Sequence, residues 1–142
     1  MMLVFQIFII FLLSSISAAQ SKSDSSAFGE IYLRVIGIEN DEGTIAAALA
    51  NSREDYESDE SVFRAANIKI KNQIAEHTFE NIPYGEYAIK VYHDEDDDGE
   101  IDLSVFGVPT EDYGFSNNAS AMFVVPDYDE AKLIFNKAIV KI

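Results

Sequence analysis

The stretch from Pro83 to Asp102 reads PYGEYAIKVYHDEDDDGEID, and it decides the fold. Pro83 and Gly85 predict a tight turn, because proline presets one backbone angle and glycine tolerates sharp bends. From residue 87 to residue 92, side chains of different character alternate between two faces. A period of two is typical of a β-strand with one buried face. The sequence therefore predicts a core strand that runs directly into an acidic loop.

The acidic part of this stretch predicts a calcium-binding loop. Acidic side chains recur at every second position from Asp94 to Asp98, and Gly99 follows where the chain must bend. A hard cation such as Ca²⁺ needs many oxygen ligands, and this spacing aims short carboxylates inward. Without an ion, two carboxylates about 6 Å apart repel each other by roughly 3 kcal/mol at an effective dielectric constant of about 20. In the order of an EF-hand loop, the predicted ligands are Asp94, Asp96, Asp98, the Glu100 carbonyl and Asp102.

The match to an EF-hand stops at its twelfth position. Val105 stands there in place of a bidentate glutamate, and strands flank the loop where an EF-hand has helices. We therefore expect weak binding, with a Kd of about 10⁻⁴ to 10⁻³ M. Glu111 or Asp112, returning from the next loop, is predicted to fill the vacancy. The alternative is a solvated acidic hairpin tip without metal, and any bound ion is expected to be structural.

Composition and charge fit one folded, acidic domain. The 142 residues are 48% hydrophobic, which suffices for a core. The net charge of −15 should repel nucleic acid and anionic membranes, so cations are the natural partners. The chain has no cysteine, which excludes disulfides and thiolate metal sites.

The N-terminal region has the pattern of a secretory signal peptide. Residues 3–13 are almost wholly apolar but shorter than the roughly 20 residues that span a bilayer, and small residues at 17–19 suit cleavage. We expect a signal peptide at 1–19, a flexible lead-in at 20–27 and one domain at 28–142. The protein would then be periplasmic or extracellular, with no membrane span after cleavage. Because no Lys or Arg precedes the apolar run, an uncleaved anchor is the alternative.

The remaining patterns predict an all-β domain. Strands at 31–36 and 45–49 flank turn-forming residues and are expected to pair as an antiparallel hairpin. Residues 46–50 also suit a helix, but the flanking turns leave too few residues for a stable one. Residues 51–60 are expected to form a polar surface loop. A third and fourth strand are predicted around Asn72 and Gln73.

The C-terminal part predicts short elements around an ordered loop. Asp127 and Glu130 predict a capped helical turn at 127–131. Phe106, with Tyr113 and Phe115, is expected to be shielded from water in an ordered loop. Short strands are expected at 121–125, 133–135 and 138–142. Possible ligand contacts in the loop are Tyr113, Phe115, Asn117 and Asn118.

Two resemblances add to this interpretation. A proline and glycine before an aromatic strand resemble the turn in transthyretin-like and other Ig-like domains, which implies an antiparallel β-sandwich of about seven strands. Residues 85–88, 93–102 and 106–118 together resemble the bacterial secreted proteins grouped as DUF2141, and this resemblance covers residues 29–142. It implies export and a small β-rich domain, without an established reaction. Asp96 and Asp98 depart from the family, which often has Asn there, and make the loop more acidic.

Three classes of function remain open. The first is an exported, calcium-stabilised module whose 106–118 loop contacts a glycan or an envelope protein. The second is an accessory domain of the cell envelope without metal. The third is a metal-assisted hydrolase with His93 as base and Glu111 as its partner. We expect no enzyme, because the sequence has no Gly-x-Ser-x-Gly motif, no cysteine and no His-rich site.

Overall fold

The structure is a computed structural model that describes residues 27–58, 61–120, 124–137 and 139–142. The predicted signal peptide, nearly all of the lead-in and residues 121–123 of a predicted strand lie outside the described residues. The strands are β1 (Phe28–Ile36), β2 (Thr44–Ala50), β3 (Arg64–Lys71), β4 (Ile74–Pro83), β5 (Gly85–Asp94), β6 (Tyr113–Phe115), β7 (Leu133–Phe135) and β8 (Ile139–Lys141). The helices are α1 (Arg53–Glu57) and α2 (Tyr128–Ala131), with a 3₁₀ turn at Ser116–Asn118.

The predicted all-β, mainly antiparallel architecture is confirmed. Seven strands follow the order β6-β5-β2-β3-β4-β1-β8 in one sheet, and β7 pairs with the start of β5. All pairs are antiparallel except β1 with β8. Strand β3 turns the corner of the sheet, since residues 64–69 pair with β2 and residues 70–71 pair with β4. The sheet is continuous and curled, and a sandwich of two separate layers is not confirmed.

The predicted hairpin of the first two strands is wrong. β1 pairs with β4 and β8, whereas β2 pairs with β3 and β5. The turn at 39–43 therefore carries the chain from one part of the curled sheet to another. The hairpin around Asn72 and Gln73 is confirmed, and both residues have the positive φ of a type I′ turn.

The core lies inside the curl. It receives side chains from β1, β2, β3, β4, β5 and β7, so both parts of the sheet bury their inner faces against each other. Each large aliphatic side chain buried there contributes roughly 1.5–3 kcal/mol. The large core side chains are Ile31, Leu33, Ile38, Ile45, Leu49, Ile68, Phe79, Ile82, Tyr87, Ile89 and Phe135.

Helices α1 and α2 cover one end of the outer face of the sheet. Tyr56 of α1 and Tyr128 of α2 pack over Ala50 and Ala88 in a second, smaller core. The predicted loop at 51–60 is thus partly wrong, because Ser52 caps α1 by accepting a hydrogen bond from the Asp55 N–H (3.1 Å). The predicted helical turn at 127–131 is confirmed as α2.

Candidate metal centre

The candidate site lies where β5 ends, at the opposite end of the outer face from the two helices. Asp94 is the last residue of β5 and pairs with Thr44 of β2. Its side chain is only 2% exposed. The turn at 39–43 packs closely against the backbone of Asp94. A Cβ on Gly43 would lie only 1.9 Å from the Asp94 carbonyl oxygen. Gly43 also has a φ of +61°, so glycine is needed here for both space and conformation.

The Asp94 carboxylate closes the acidic loop. Oδ1 accepts a hydrogen bond from the Asp98 N–H (3.1 Å), and Oδ2 accepts one from the Gly99 N–H (3.0 Å). Gly99 has a φ of +82°, and Asp97 also bends the chain with a φ of 58°. The bend predicted at Gly99 is therefore confirmed, and the loop folds back over the end of β5.

The Glu111 carboxylate bridges the two ends of the acidic loop, although Glu111 lies 9 residues after Asp102 and 16 residues after Glu95. Its Oε1 accepts a hydrogen bond from the Glu95 N–H (3.0 Å), and its Oε2 accepts one from the Asp102 N–H (2.9 Å). The return of the chain is supported by two backbone bonds, from Thr110 N to Asp102 O (2.9 Å) and from His93 N to Asp112 O (2.8 Å). Asp112 thus contributes its carbonyl, and Glu111 is the residue that enters the site.

Three carboxylates converge at this point. One oxygen each from Asp94, Asp96 and Glu111 lies within 4.8 Å of the other two. Asp98, another predicted ligand, caps the loop instead, because its Oδ1 accepts a hydrogen bond from the Glu100 N–H (2.8 Å). The described residues therefore bring three of the six predicted ligands together, and their role as metal ligands stays a prediction.

The electrostatics of the neighbourhood reflect this crowding. Desolvation and then the negative charges of Asp96, Glu111, Asp98 and Asp94 raise the pKa of Asp102. Desolvation and then Asp94 and Glu111 raise the pKa of the Tyr92 hydroxyl on the same face. A cation at the three carboxylates would reverse this field.

Two contacts to the loop come from residues that sequence reasoning missed. The Thr44 hydroxyl donates to Asp97 Oδ1 (3.0 Å), and the Asn40 amide donates to Glu95 Oε1 (3.1 Å). These residues lie some fifty positions before their partners. Nothing in the type or spacing of Thr44 and Asn40 relates them to the acidic loop. They reach it only because β2 pairs with β5, which places Thr44 opposite Asp94.

His93 lies on the core side of β5, on the same face as Tyr87 and Ile89. It is 2% exposed, and its Nε2 lies 2.7 Å from the Glu42 carbonyl oxygen, which can only accept the hydrogen bond. Nδ1 lies 3.6 Å from a Glu95 carboxylate oxygen. His93 therefore connects β5 to the turn at 39–43 through Nε2, while Nδ1 faces the acidic loop.

The predicted ligand contacts divide between two places. Tyr113 and Phe115 belong to β6 and face outward beside β5, whereas Asn117 and Asn118 form the 3₁₀ turn with positive φ. Asn117 donates from its side chain to the Glu130 carbonyl (2.9 Å). The expectation that Phe106 is shielded is wrong, since 89% of this residue is exposed.

Comparison with known proteins gives one positive result. The model of a protein family described as "Uncharacterized protein conserved in bacteria (DUF2141)" matches residues 33–142. The resemblance found in the sequence is thereby confirmed. Neither curated proteins nor solved structures gave a match. None of the helices in the described ranges has the length and apolar character to cross a membrane.

Proposed function

The chain belongs to the bacterial family DUF2141, whose description assigns no activity, and we propose from its site that it is an exported domain stabilised by calcium. The ion would be held by Asp94, Asp96 and Glu111. The Asp98 and Asp102 carboxylates and the Glu100 carbonyl are the further predicted ligands. The ion's task would be to fasten the 94–111 segment to the end of β5.

The spacing of the three carboxylates carries this proposal. Calcium binds oxygen at 2.3–2.6 Å, so two ligands on opposite sides of one ion are at most about 5 Å apart. The oxygens of Asp94, Asp96 and Glu111, all within 4.8 Å, satisfy this limit. At 4.8 Å and a dielectric constant of about 20, two carboxylate charges repel by about 3.5 kcal/mol before screening, and a closer pair repels more strongly. A divalent cation replaces that repulsion by attraction.

Hydrogen bonding supports a structural role for the ion. Asp94 and Glu111 together accept four backbone N–H groups of the acidic loop. The loop is therefore folded around these two carboxylates, and a shared cation would hold β5 and the returning chain together. The ring nitrogens of His93 face Glu42 and Glu95, so the proposal gives His93 no catalytic step.

Calorimetry and thermal unfolding of the purified protein test the calcium site. We expect heat of binding with a Kd of about 10⁻⁴ to 10⁻³ M for calcium and weaker binding of magnesium, which prefers water and a strict octahedron. At ten times the Kd, calcium should add about 1.4 kcal/mol to the free energy of unfolding. Equal melting temperatures in EDTA and in millimolar calcium, with no heat of binding, would refute the proposal.

Export is proposed from the apolar run at 3–13 and the small residues that follow it. Fractionation of the producing bacteria, with N-terminal sequencing of the recovered protein, tests this part. A mature chain in the periplasm or medium that begins near residue 20 is the expected result. A full-length chain confined to the cytoplasm would contradict it.

A contact role for the 106–118 loop is the second proposal for function, with a glycan or envelope protein as partner. It is supported by four exposed apolar residues close together at the start of this loop, because contiguous exposed apolar patches mark interaction sites. They are Leu103, Val105, Phe106 and Val108. A glycan array probed with and without calcium tests it. Binding that Phe106→Ser abolishes is expected, and unchanged binding would count against the loop.

A further inference from the structure

The middle of the outer face of the sheet forms an open cavity of about 580 Å³. It lies between the cap of α1 and α2 at one end and the acidic loop at the other. Its volume is within the range of about 300–1,000 Å³ that small-molecule sites occupy. This cavity is here named the outer groove.

Two cross-strand rows form the floor of the outer groove. Alanines occupy the centre of both rows, where most central strands carry β-branched residues, and so leave the surface concave. The aromatic side chains stand at the β5–β6 edge and supply a wall. The first row is Asn67, Ala46, Tyr92 and Tyr113, and the second is Ala65, Ala48, Lys90 and Phe115.

The lining is unusual in its charge. The sequence has 25 acidic residues, yet none of the described residues that line the outer groove is Asp or Glu. The segment after the acidic loop adds apolar walls from Ile101, Leu103 and Pro109. The groove therefore suits an apolar molecule and offers no counter-charge for a cation.

A buried hydroxyl points to the polar end of such a molecule. A second cavity of about 290 Å³ adjoins the outer groove, and Lys90 and Val125 line both. Tyr56 lines this second cavity and is 2% exposed, and its hydroxyl has no hydrogen-bond partner among the described residues. A buried hydroxyl without a partner is costly, so a ligand atom that accepts its hydrogen bond would be favoured.

Lys90 marks the passage between the two cavities. Its ammonium donates to the Tyr56 carbonyl (2.7 Å) and the Ser58 carbonyl (3.3 Å), which fixes its position. A polar group that enters the second cavity would thus pass beside a fixed cation. Because Glu57 and Asp127 also line this second cavity, an uncharged acceptor is favoured there over a carboxylate.

We propose that the outer groove binds a small amphipathic molecule. Its apolar body lies on the alanine floor against Tyr113 and Phe115, and its hydrogen-bond-accepting end reaches the Tyr56 hydroxyl. This function is separate from calcium binding, because the groove residues and the three carboxylates are different sets.

Fluorescence titration with N-phenyl-naphthylamine tests occupancy of the groove. We expect saturable binding of this probe, and displacement by decanol and by decanoate. Ala48→Leu places a larger side chain on the floor of the outer groove and should raise the Kd of the probe at least tenfold. Ala65→Leu fills it from β3 and serves if the first variant does not fold. Thr78→Leu, on β4 and away from the groove, is the matched control and should bind like the wild type.

Tyr56→Phe tests the polar end. This variant should bind decanol and decanoate about fivefold more weakly, which corresponds to the loss of one hydrogen bond, and should bind the probe with unchanged affinity. Comparison of the two competitors distinguishes an uncharged head group from a carboxylate. No saturable probe binding, or full binding by both groove-filling variants, would overturn the site. Equal competitor affinity in Tyr56→Phe would overturn the assignment of the polar end.

Discussion

Glu111→Gln separates the electrostatic role of Glu111 from its structural role. The amide keeps the length of the side chain and one accepting oxygen, but it loses the negative charge. Three oxygens form three repelling pairs, and two of these pairs include Glu111. Without an ion, neutralisation therefore removes two of the three repulsions.

The loss of a hydrogen bond in Glu111→Gln offsets the stability gained by removing these repulsions. Glu111 accepts from the N–H groups of Glu95 and Asp102, and an amide can accept only one of the two with its oxygen. Losing a charge-assisted bond costs about 1.5–3 kcal/mol. Each removed repulsion between partly exposed groups returns about 1 kcal/mol after screening. We expect the stability in EDTA to change by less than about 1 kcal/mol.

Calcium binding should respond much more strongly. The ion loses one of three charged ligands, and we expect at least a tenfold rise in Kd, or about 1.4 kcal/mol. Calorimetry gives the Kd, and melting in EDTA and in calcium gives the two stabilities. Asp112→Asn is the matched control, because Asp112 is the next residue and contributes its backbone carbonyl. Unchanged affinity in Glu111→Gln, or an equal loss in Asp112→Asn, would refute the reasoning.

Three further substitutions have outcomes fixed by the structure. Tyr56→Phe removes a buried, unpartnered hydroxyl and should stabilise the protein by about 1 kcal/mol in urea unfolding at neutral pH. Burial raises the pKa of Tyr56 from 10.0 to about 12, so titration of this hydroxyl leaves the free energy of unfolding unchanged below pH 10 and lowers it as the pH rises from 10 through about 12. The alkaline loss should be smaller in the variant, and identical pH profiles would contradict this. Ser116→Ala should cost about 2–4 kcal/mol in the same assay, because the Ser116 hydroxyl accepts from Ile89 N (2.8 Å) and donates to Ala131 O (2.6 Å) in a buried place. Gly43→Ala should lower the melting temperature far more than Gly37→Ala, since both positions have positive φ but only the first would bring a Cβ into the Asp94 carbonyl. Equal losses in the two glycine variants would show that conformation alone matters.

Features that depend on neighbouring residues could be predicted from the sequence. The hairpin at Asn72 and Gln73 and the helical turn at 127–131 follow from turn and capping chemistry over a few positions. Alternation likewise identified β2, although its alanines also suit a helix. The acids at 94–98 with Gly99 predicted a loop that bends at Gly99, which is confirmed, and the structure adds that the Asp94 carboxylate closes this loop.

Features that depend on distant residues could not be predicted. Alternation says which face of a strand is buried, but it does not say which strand lies beside it, so β1 and β2 were paired wrongly. The alanine rows of the outer groove exist only because β2 lies between β3 and β5.

The sequence by itself determined the β character of the chain and the acidic loop after β5. The tertiary structure decided that Glu111, and not Asp112, meets Asp94 and Asp96. The physical reason is that a local pattern fixes backbone preference and burial, which are properties of adjacent residues. The closure of long loops and the choice of strand partners depend on how the whole curled sheet fills its core.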